Sequence, residues 1–438
     1  MSLPARAAPH GEILWDSFGV PHVTAPTEPG LFYGFGYAQA HNHADLLLRL
    51  YGEARARGAE YFGAKGPDGI DYEAEDRWLI GNDMPERAQG WYDAQTPAFR
   101  ADLDAFADGI NAYAKAHPEA IDPKVAVVLP VSGRDVIAHA LKLMNYVYIA
   151  SGKKALDDPL LNTAGGSNAW AVAPSHTKDG HTLLLANPHL PWAPSQLTYT
   201  EAQLTGPGVA IYGATQVGLP VLRFGFNHEL GFTNTVNDLL GWTSYRLTLT
   251  ANGRGYVYDG TPHAFTHEAK SYRVRQPDGT LKTVSFTQDR ALQGPVFRRG
   301  DGSAIAVRVA GLDRPFMLQQ YWEMDRARNW TQFHAAVAKL QVPTFNIVYA
   351  TAPGTSSISI TGWCRAMTVA VTRTGCTRSP VIPPRRCGPT RWRSANCRRC
   401  SIRPRASCRM PTTPPGGAPG RRRSPVSNTR PMWRRSIR

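Results

Sequence analysis

Helix-forming segments gathered in the first 150 residues, then short apolar runs divided by turns after residue 166, predict an α+β fold. A third observation bounds that prediction: the texture of the chain changes abruptly after residue 350. The 438 residues supply length for two to four domains and a large core.

The first helix is predicted over "LFYGFGYAQAHNHADLLLRLYGEARA", residues 31–56. The second is "TPAFRADLDAFADGINAYAKAHP". Thr96 can cap it, Pro97 suits its first turn, and Phe99, Leu103, Phe106, Ile110 and Tyr113 form one apolar stripe. The third is the more apolar "RDVIAHALKLMNYVYIA", 134–150. Strands are predicted in "HTLLLANPHL", "VAIYGATQVGLPVLRFGF", "ELGFTNTVND" and "SYRLTLTANGRGYVYDG". No run is long enough to span a membrane, and no internal repeat is evident.

Between these halves stands "NTAGGSNAWAVAPSH", residues 162–176. Gly165 and Gly166 make a permissive joint. Ser167 opens a segment whose Ala169, Trp170, Ala171 and Val172 predict a largely buried strand. A hydroxyl beside a flexible joint is where a chain could cut itself; the bland alternative is a loop entering a strand.

Charge and cysteine divide the chain at the same place. The formal charge is +15, yet residues 351–438 hold 19 Arg and no Lys, Asp or Glu, which leaves residues 1–350 at −4. All six cysteines (Cys364, Cys376, Cys387, Cys397, Cys400, Cys408) also lie beyond 350, so the first part needs neither disulfide nor thiolate metal site. The tail lacks Leu, Phe, Tyr, His and Gln and is predicted to be disordered.

A shift of reading frame near codon 350 accounts for the break. With permitted codons, "ATAPGTSSISITG" from Ala350 read from its third base gives Asp-Arg-Ala-Gly-His-Ile-Phe-Tyr-Leu-Tyr-Asn-Gly, a turn and then an alternating strand. The same offset turns "RMPTTPPGG" into Asn-Ala-Asn-Asp-Ala-Pro-Trp-Trp. A native Arg/Pro-rich tail is the alternative.

"EILWDSFGVPHVTAPTEPGLFYGFGYAQAHNHADLLLRLYGEARARGAEYFG" resembles the opening of the small chain of the penicillin acylase family, which are N-terminal-nucleophile hydrolases. "GGSNAWAVAPSHTKDGHTLLLANPHLPW" resembles the start of the family's large chain, and "GLPVLRFGFNHELGFTNTVND" its oxyanion segment. The flavour is that of aculeacin and acyl-homoserine lactone acylases, and the resemblance runs from about Glu12 to Ala350. It implies a four-layer αββα sandwich, incomplete here because the family's large chain continues further. It divides the sequence into a helical small-chain region (11–152), a spacer (153–166), the first part of the large chain (167–350) and the tail (351–438).

The resemblance also implies roles. Cleavage between Gly166 and Ser167, by attack of the serine hydroxyl on the preceding carbonyl, would free an α-amine of pKa about 8 that serves as base to the same hydroxyl. His189, 22 residues on, would position that amine and assist cleavage. The backbone N–H of Val236 would face the oxyanion, with Asn187 and Asn237 as turn supports. The family's second oxyanion donor, an asparagine in a pattern like Asn-x-Asn-Asp, is absent from the translation and returns only in the shifted frame, where Pro411 and Thr412 stand. The expected substrate is a small N-acyl amide, with an aliphatic acyl chain as first choice. The expected partners are the small and large chains of one precursor, with no membrane and no nucleic acid.

No cofactor is expected. Some family members hold a structural calcium, but its ligands find no match here. His41 and Asp45 in "HNHAD" share a helical face and read as a solvated face sooner than a metal site. "NCRRC", Cys397 to Cys400, lacks a second ligand pair, and "GRRRSP" at 420–425 reads as an accident of the tail. The competing function is a non-enzymatic basic chain that binds a polyanion, which predicts steep salt dependence and an uncut 166–167 bond. By resemblance the protein is periplasmic or extracellular, although "MSLPARAAPHGE" has no apolar core of signal length.

Overall fold

The computed structural model describes residues 11–66, 69–152, 155–156, 166–191, 193, 195–237 and 241–351, and the backbone of 356–362 and 376–378. In chain order the described elements are β1 (Glu12–Trp15), β2 (Pro21–Thr24), α1 (Glu28–Ala54), α2 (Gly58–Phe62), α3 (Tyr72–Gly81), α4 (Met84–Ala94), α5 (Pro97–Ala116), α6 (Pro123–Ala126) and α7 (Gly133–Leu141). Then come β3 (Gly166–Val172), β4 (Leu183–His189), β5 (Tyr199–Gly206), β6 (Val209–Gln216), β7 (Phe224–Phe226), β8 (Leu230–Val236), β9 (Trp242–Leu249), β10 (Gly255–Tyr258), β11 (Thr261–Ala264) and β12 (Thr266–Arg275). The remainder is β13 (Leu281–Ala291), β14 (Gly294–Arg298), β15 (Ala304–Val309), α8 (Met317–Asp325), α9 (Trp330–Val337), β16 (Thr344–Thr351), β17 (Ser356–Gly362) and β18 (Cys376–Arg378). Helices α1–α7 precede strands β3–β15, as the apolar spacing predicts, but β1 and β2 lie ahead of α1, and α8 and α9 fall between β15 and β16.

Both long helices begin at a threonine cap, α5 where its sequence predicts and α1 at Glu28, ahead of the predicted Leu31. The Thr27 hydroxyl accepts from the Gly30 N–H at 3.1 Å to start α1, and Thr96 accepts from Phe99 N–H at 3.3 Å to start α5. All five stripe residues of α5 are buried. The two helices approach at glycines: a Cβ on Gly36 would lie 2.0 Å from the Phe106 carbonyl oxygen, and one on Gly109 2.0 Å from that of Tyr33. Around this crossing Phe35 meets Phe106 edge to face, centroids 5.8 Å apart.

The third helix departs from a plain α-helix. After α7, residues Lys142–Ile149 widen into π-helical bonding that ends with Ala150 N–H on Asn145 O at 3.0 Å. Lys142 enters this stretch fully buried, its Nζ 2.7 Å from Glu53 and 3.0 Å from Glu75. Burial opposes its charge, and the two carboxylates outweigh that and raise its pKa.

An eight-stranded sheet in the order β1-β2-β5-β6-β7-β8-β16-β17 carries the helices. Only β2–β5 is parallel. On β8, Phe232 packs on Phe333 of α9, whereas the Cβ position of its neighbour Gly231 lies 2.9 Å from Leu184 of β4. Adjacent strand residues face opposite sides. Helices therefore cover one face of the sheet and the antiparallel hairpin β3–β4 lies on the other. Of the four layers expected, the described residues contain a helical layer, a sheet and this two-stranded hairpin. A separate sheet, β11-β10-β9-β15-β14-β13-β12 with β18 also on β9, has its own small core around Leu247, Tyr256 and Phe265.

The hairpin corrects one expectation. Residues 166–172 do form a strand, but only Ala169 is buried, and Trp170 is 43 % exposed. A strand with one packed face buries alternate residues, and among the described residues nothing covers the outer face of β3–β4. Cys397, Cys400, residues 420–425 and the Pro411–Thr412 region lie outside the described residues. No described helix is long and apolar enough to cross a membrane.

Candidate active site

The hairpin brings the predicted residues together through register. Gly166 pairs with His189, Ser167 with Pro188 and Asn168 with Asn187. The Ser167 hydroxyl donates to the Gly166 carbonyl oxygen at 2.6 Å, so it rests on the carbonyl group that self-cleavage would open. A Cβ on Gly166 would stand 3.9 Å from His189 Nδ1, which places the imidazole beside the same peptide. The other ring nitrogen lies 3.5 Å from Asn168 Nδ2. Gly166, Ser167 and Asn168 are half-buried and His189 is exposed. Solvent can therefore reach the bond in question.

Val236 arrives from another element. It ends β8, paired with Phe345 of β16, and β3 packs against both of these strands. Val236 is 39 % exposed at the end of its strand. Thr344 Oγ1 donates to Asn237 Oδ1 at 3.2 Å and so ties the segment after Val236 to β16. No hydrogen bond among the described residues joins Ser167 or His189 to Val236.

Sequence reading missed what holds β8 in place. Arg223, 1 % exposed, precedes β7, and its Nη1 donates to Gln216 Oε1 at 2.6 Å. Its guanidinium lies 4.4 Å from the centre of the Phe345 ring, the residue opposite Val236. Among the described residues no carboxylate pairs with it. Burial opposes its charge, yet Tyr321, Tyr148 and Tyr199 outweigh this and raise its pKa. The Arg223 carbonyl accepts from Asn234 Nδ2 at 2.6 Å, two residues before Val236 on the same strand. An arginine in "LRFGF" carries no periodic or motif signal that would mark it as buried.

His41 and Asp45 turn to separate tasks. His41 Nδ1 meets Asn42 Oδ1 at 2.8 Å and its ring packs on Trp15, while Asp45 Oδ1 accepts from the Asp122 N–H. The helix is broken between them at His43, with φ −147° and ψ 30°.

The profile of the penicillin amidase family matches residues 10–367. The chain belongs to the penicillin amidase family. Acyl-homoserine lactone acylase PvdQ of Pseudomonas putida is 31 % identical over 380 residues, covering 78 % of this chain and 49 % of that protein. Aculeacin-A acylase of Actinoplanes utahensis is 26 % identical over 392 residues, covering 77 % and 48 %. Among solved structures, a thermostable penicillin G acylase from Alcaligenes faecalis aligns with 22 % identity and a TM-score of 0.39, over 45 % of this chain and 35 % of that one. This penicillin amidase family chain spans about half the length of the curated relatives it matches.

Proposed function

We propose that the chain carries the processing site and first oxyanion donor of a self-cleaving amidohydrolase that acts on an N-acyl amide. One observation carries this reading: the Ser167 hydroxyl on the Gly166 carbonyl, with His189 across the hairpin. Attack of Oγ on that carbonyl moves the acyl group from nitrogen to oxygen, and water then releases Ser167 with a free α-amine. The amine takes the proton of the hydroxyl as it attacks the substrate carbonyl, the Val236 N–H meets the oxyanion, the amine product leaves, and a second water resolves the ester. His189 holds the α-amine in place. The names of the relatives, acyl-homoserine lactone acylase and aculeacin-A acylase, support an N-acyl amide such as an acyl-homoserine lactone as substrate.

In this proposal the residues after Ala350 belong to a shifted frame, and the second oxyanion donor is missing from the sequence as it stands. Loss of one such donor lowers turnover by roughly 10²–10³. The test is to express this chain beside one with the shifted reading restored by a one-base change, and to follow mass and N-terminal sequence. The restored chain is expected to yield a fragment beginning at Ser167 and to hydrolyse N-acyl amides, and its Ser167→Ala form to stay whole. A restored chain that remains uncut while folded overturns the proposal.

A further inference from the structure

A cavity of about 600 Å³ lies between the α3–α4 turn, the entry to β14 and the end of β15. None of its lining residues belongs to the Ser167 hairpin or to β8. Four arginines line it (Arg87, Arg290, Arg308 and Arg314) against a single carboxylate, Asp313. Two of the four are committed: Arg290 to Asp83 and, at 2.5 Å, to Glu268, and Arg314 to Asp313 at 3.7 Å. Arg87 and Arg308 form no ion pair among the described residues. Among the described residues the Arg87 guanidinium donates from Nε to the Asn82 carbonyl oxygen at 3.0 Å, and Arg308 is exposed.

Gln293 lines the same cavity and is 6 % exposed; its Oε1 is an acceptor shielded from the space, so it takes no part in holding an anion, and the arginines carry the polar side of the site. The wall is not uniformly polar, since Leu292, Pro295, Val309 and Leu312 also face the space. The volume is that of a site for a small organic molecule and exceeds what a bare inorganic ion needs.

We propose that this cavity binds an organic oxyanion with a short apolar body. Arg87 and Arg308 hold the carboxylate or phosphate head through charge-assisted N–H bonds, and the apolar side chains take the body. A carboxylic acid and a phosphate monoester present the same head-and-body chemistry.

Titration calorimetry on the full chain tests this with octanoate, octyl phosphate, octanamide and inorganic phosphate. Octanoate or octyl phosphate is expected to bind at one site, and whichever binds tighter identifies the head group. Arg308→Gln and Arg87→Gln are each expected to weaken that binding at least tenfold, and octanamide to bind at least tenfold more weakly than octanoate. Arg308 is exposed, so its variant folds as the parent does, and it decides the matter even if the Arg87 variant loses stability. Equal binding of octanamide, unchanged affinity in the Arg308 variant, or inorganic phosphate binding as tightly as octyl phosphate would each overturn the proposal.

Discussion

At Ser167 the hydroxyl already occupies the neighbourhood of the peptide it would break, and the ring of His189 stands beside that peptide. A group that acts by position loses effect when truncated. His189→Ala in the frame-restored chain is therefore expected to slow appearance of the Ser167 N-terminus by about 10², read by mass spectrometry over time after denatured protein is diluted into buffer. A second residue-scale prediction concerns Asp102, which is 4 % exposed beside α1. Burial first, and the charge of Glu28 second, push its carboxyl up to about 7, with Arg326 opposing. Its unfolded value is near 4. The folded chain thus favours the protonated acid, so the stability it contributes is full below about pH 4 and is lost as pH rises through 7. Asp102→Asn cannot ionise. It is expected to melt higher than the parent at pH 8 and to show little difference at pH 4, as measured by calorimetric Tm.

At the scale of elements, the crossing of α1 and α5 depends on glycine. Gly109→Ala would force a methyl group onto the Tyr33 carbonyl and is expected to cost at least 2–3 kcal/mol. Gly90→Ala, in α4 with no atom within 4 Å of its new methyl, is expected to stabilise by about 0.5–1 kcal/mol. Denaturant melts of the pair check both signs. These elements also show what can be read from a sequence. The α5 cap and stripe are local properties and were legible letter by letter, as was the Gly-Ser-Asn segment that opens a strand. The π-helical turn was not. It has the same apolar letters as an α-helix, and Lys142 within it is buried only because Glu53 and Glu75 arrive from α1 and α3. Arg223 was illegible for a similar reason, since its partners come from β6, α8 and β16. The exposure of Trp170 was misread because an apolar run shows that a strand can be buried, not how many of its faces are covered.

At the scale of the molecule, charge separates two regions that composition averages together. Residues 1–350 carry −4, and 16 of the 19 tail arginines follow Arg378. The full chain is expected to be retained on a cation-exchange column in a salt-dependent way, and a chain ended after Arg378 is expected to lose that retention. The far-UV circular dichroism of the described fold should persist. If the truncated chain were still retained strongly, the basic character would have to reside in the folded part.

The hairpin that presents Ser167 has a consequence for how the protein behaves in concentrated solution. Its outer face displays Trp170, Leu183 and Leu185, each at least 40 % exposed, on two short strands. Such a ribbon is adhesive, because unpaired peptide edges and bare apolar rows invite strands from another molecule. The same ribbon that presents Ser167 to water is thus expected to set the concentration at which chains begin to stack into intermolecular sheet, and charged substitutions at Leu183 and Leu185 are expected to raise that threshold, read by light scattering.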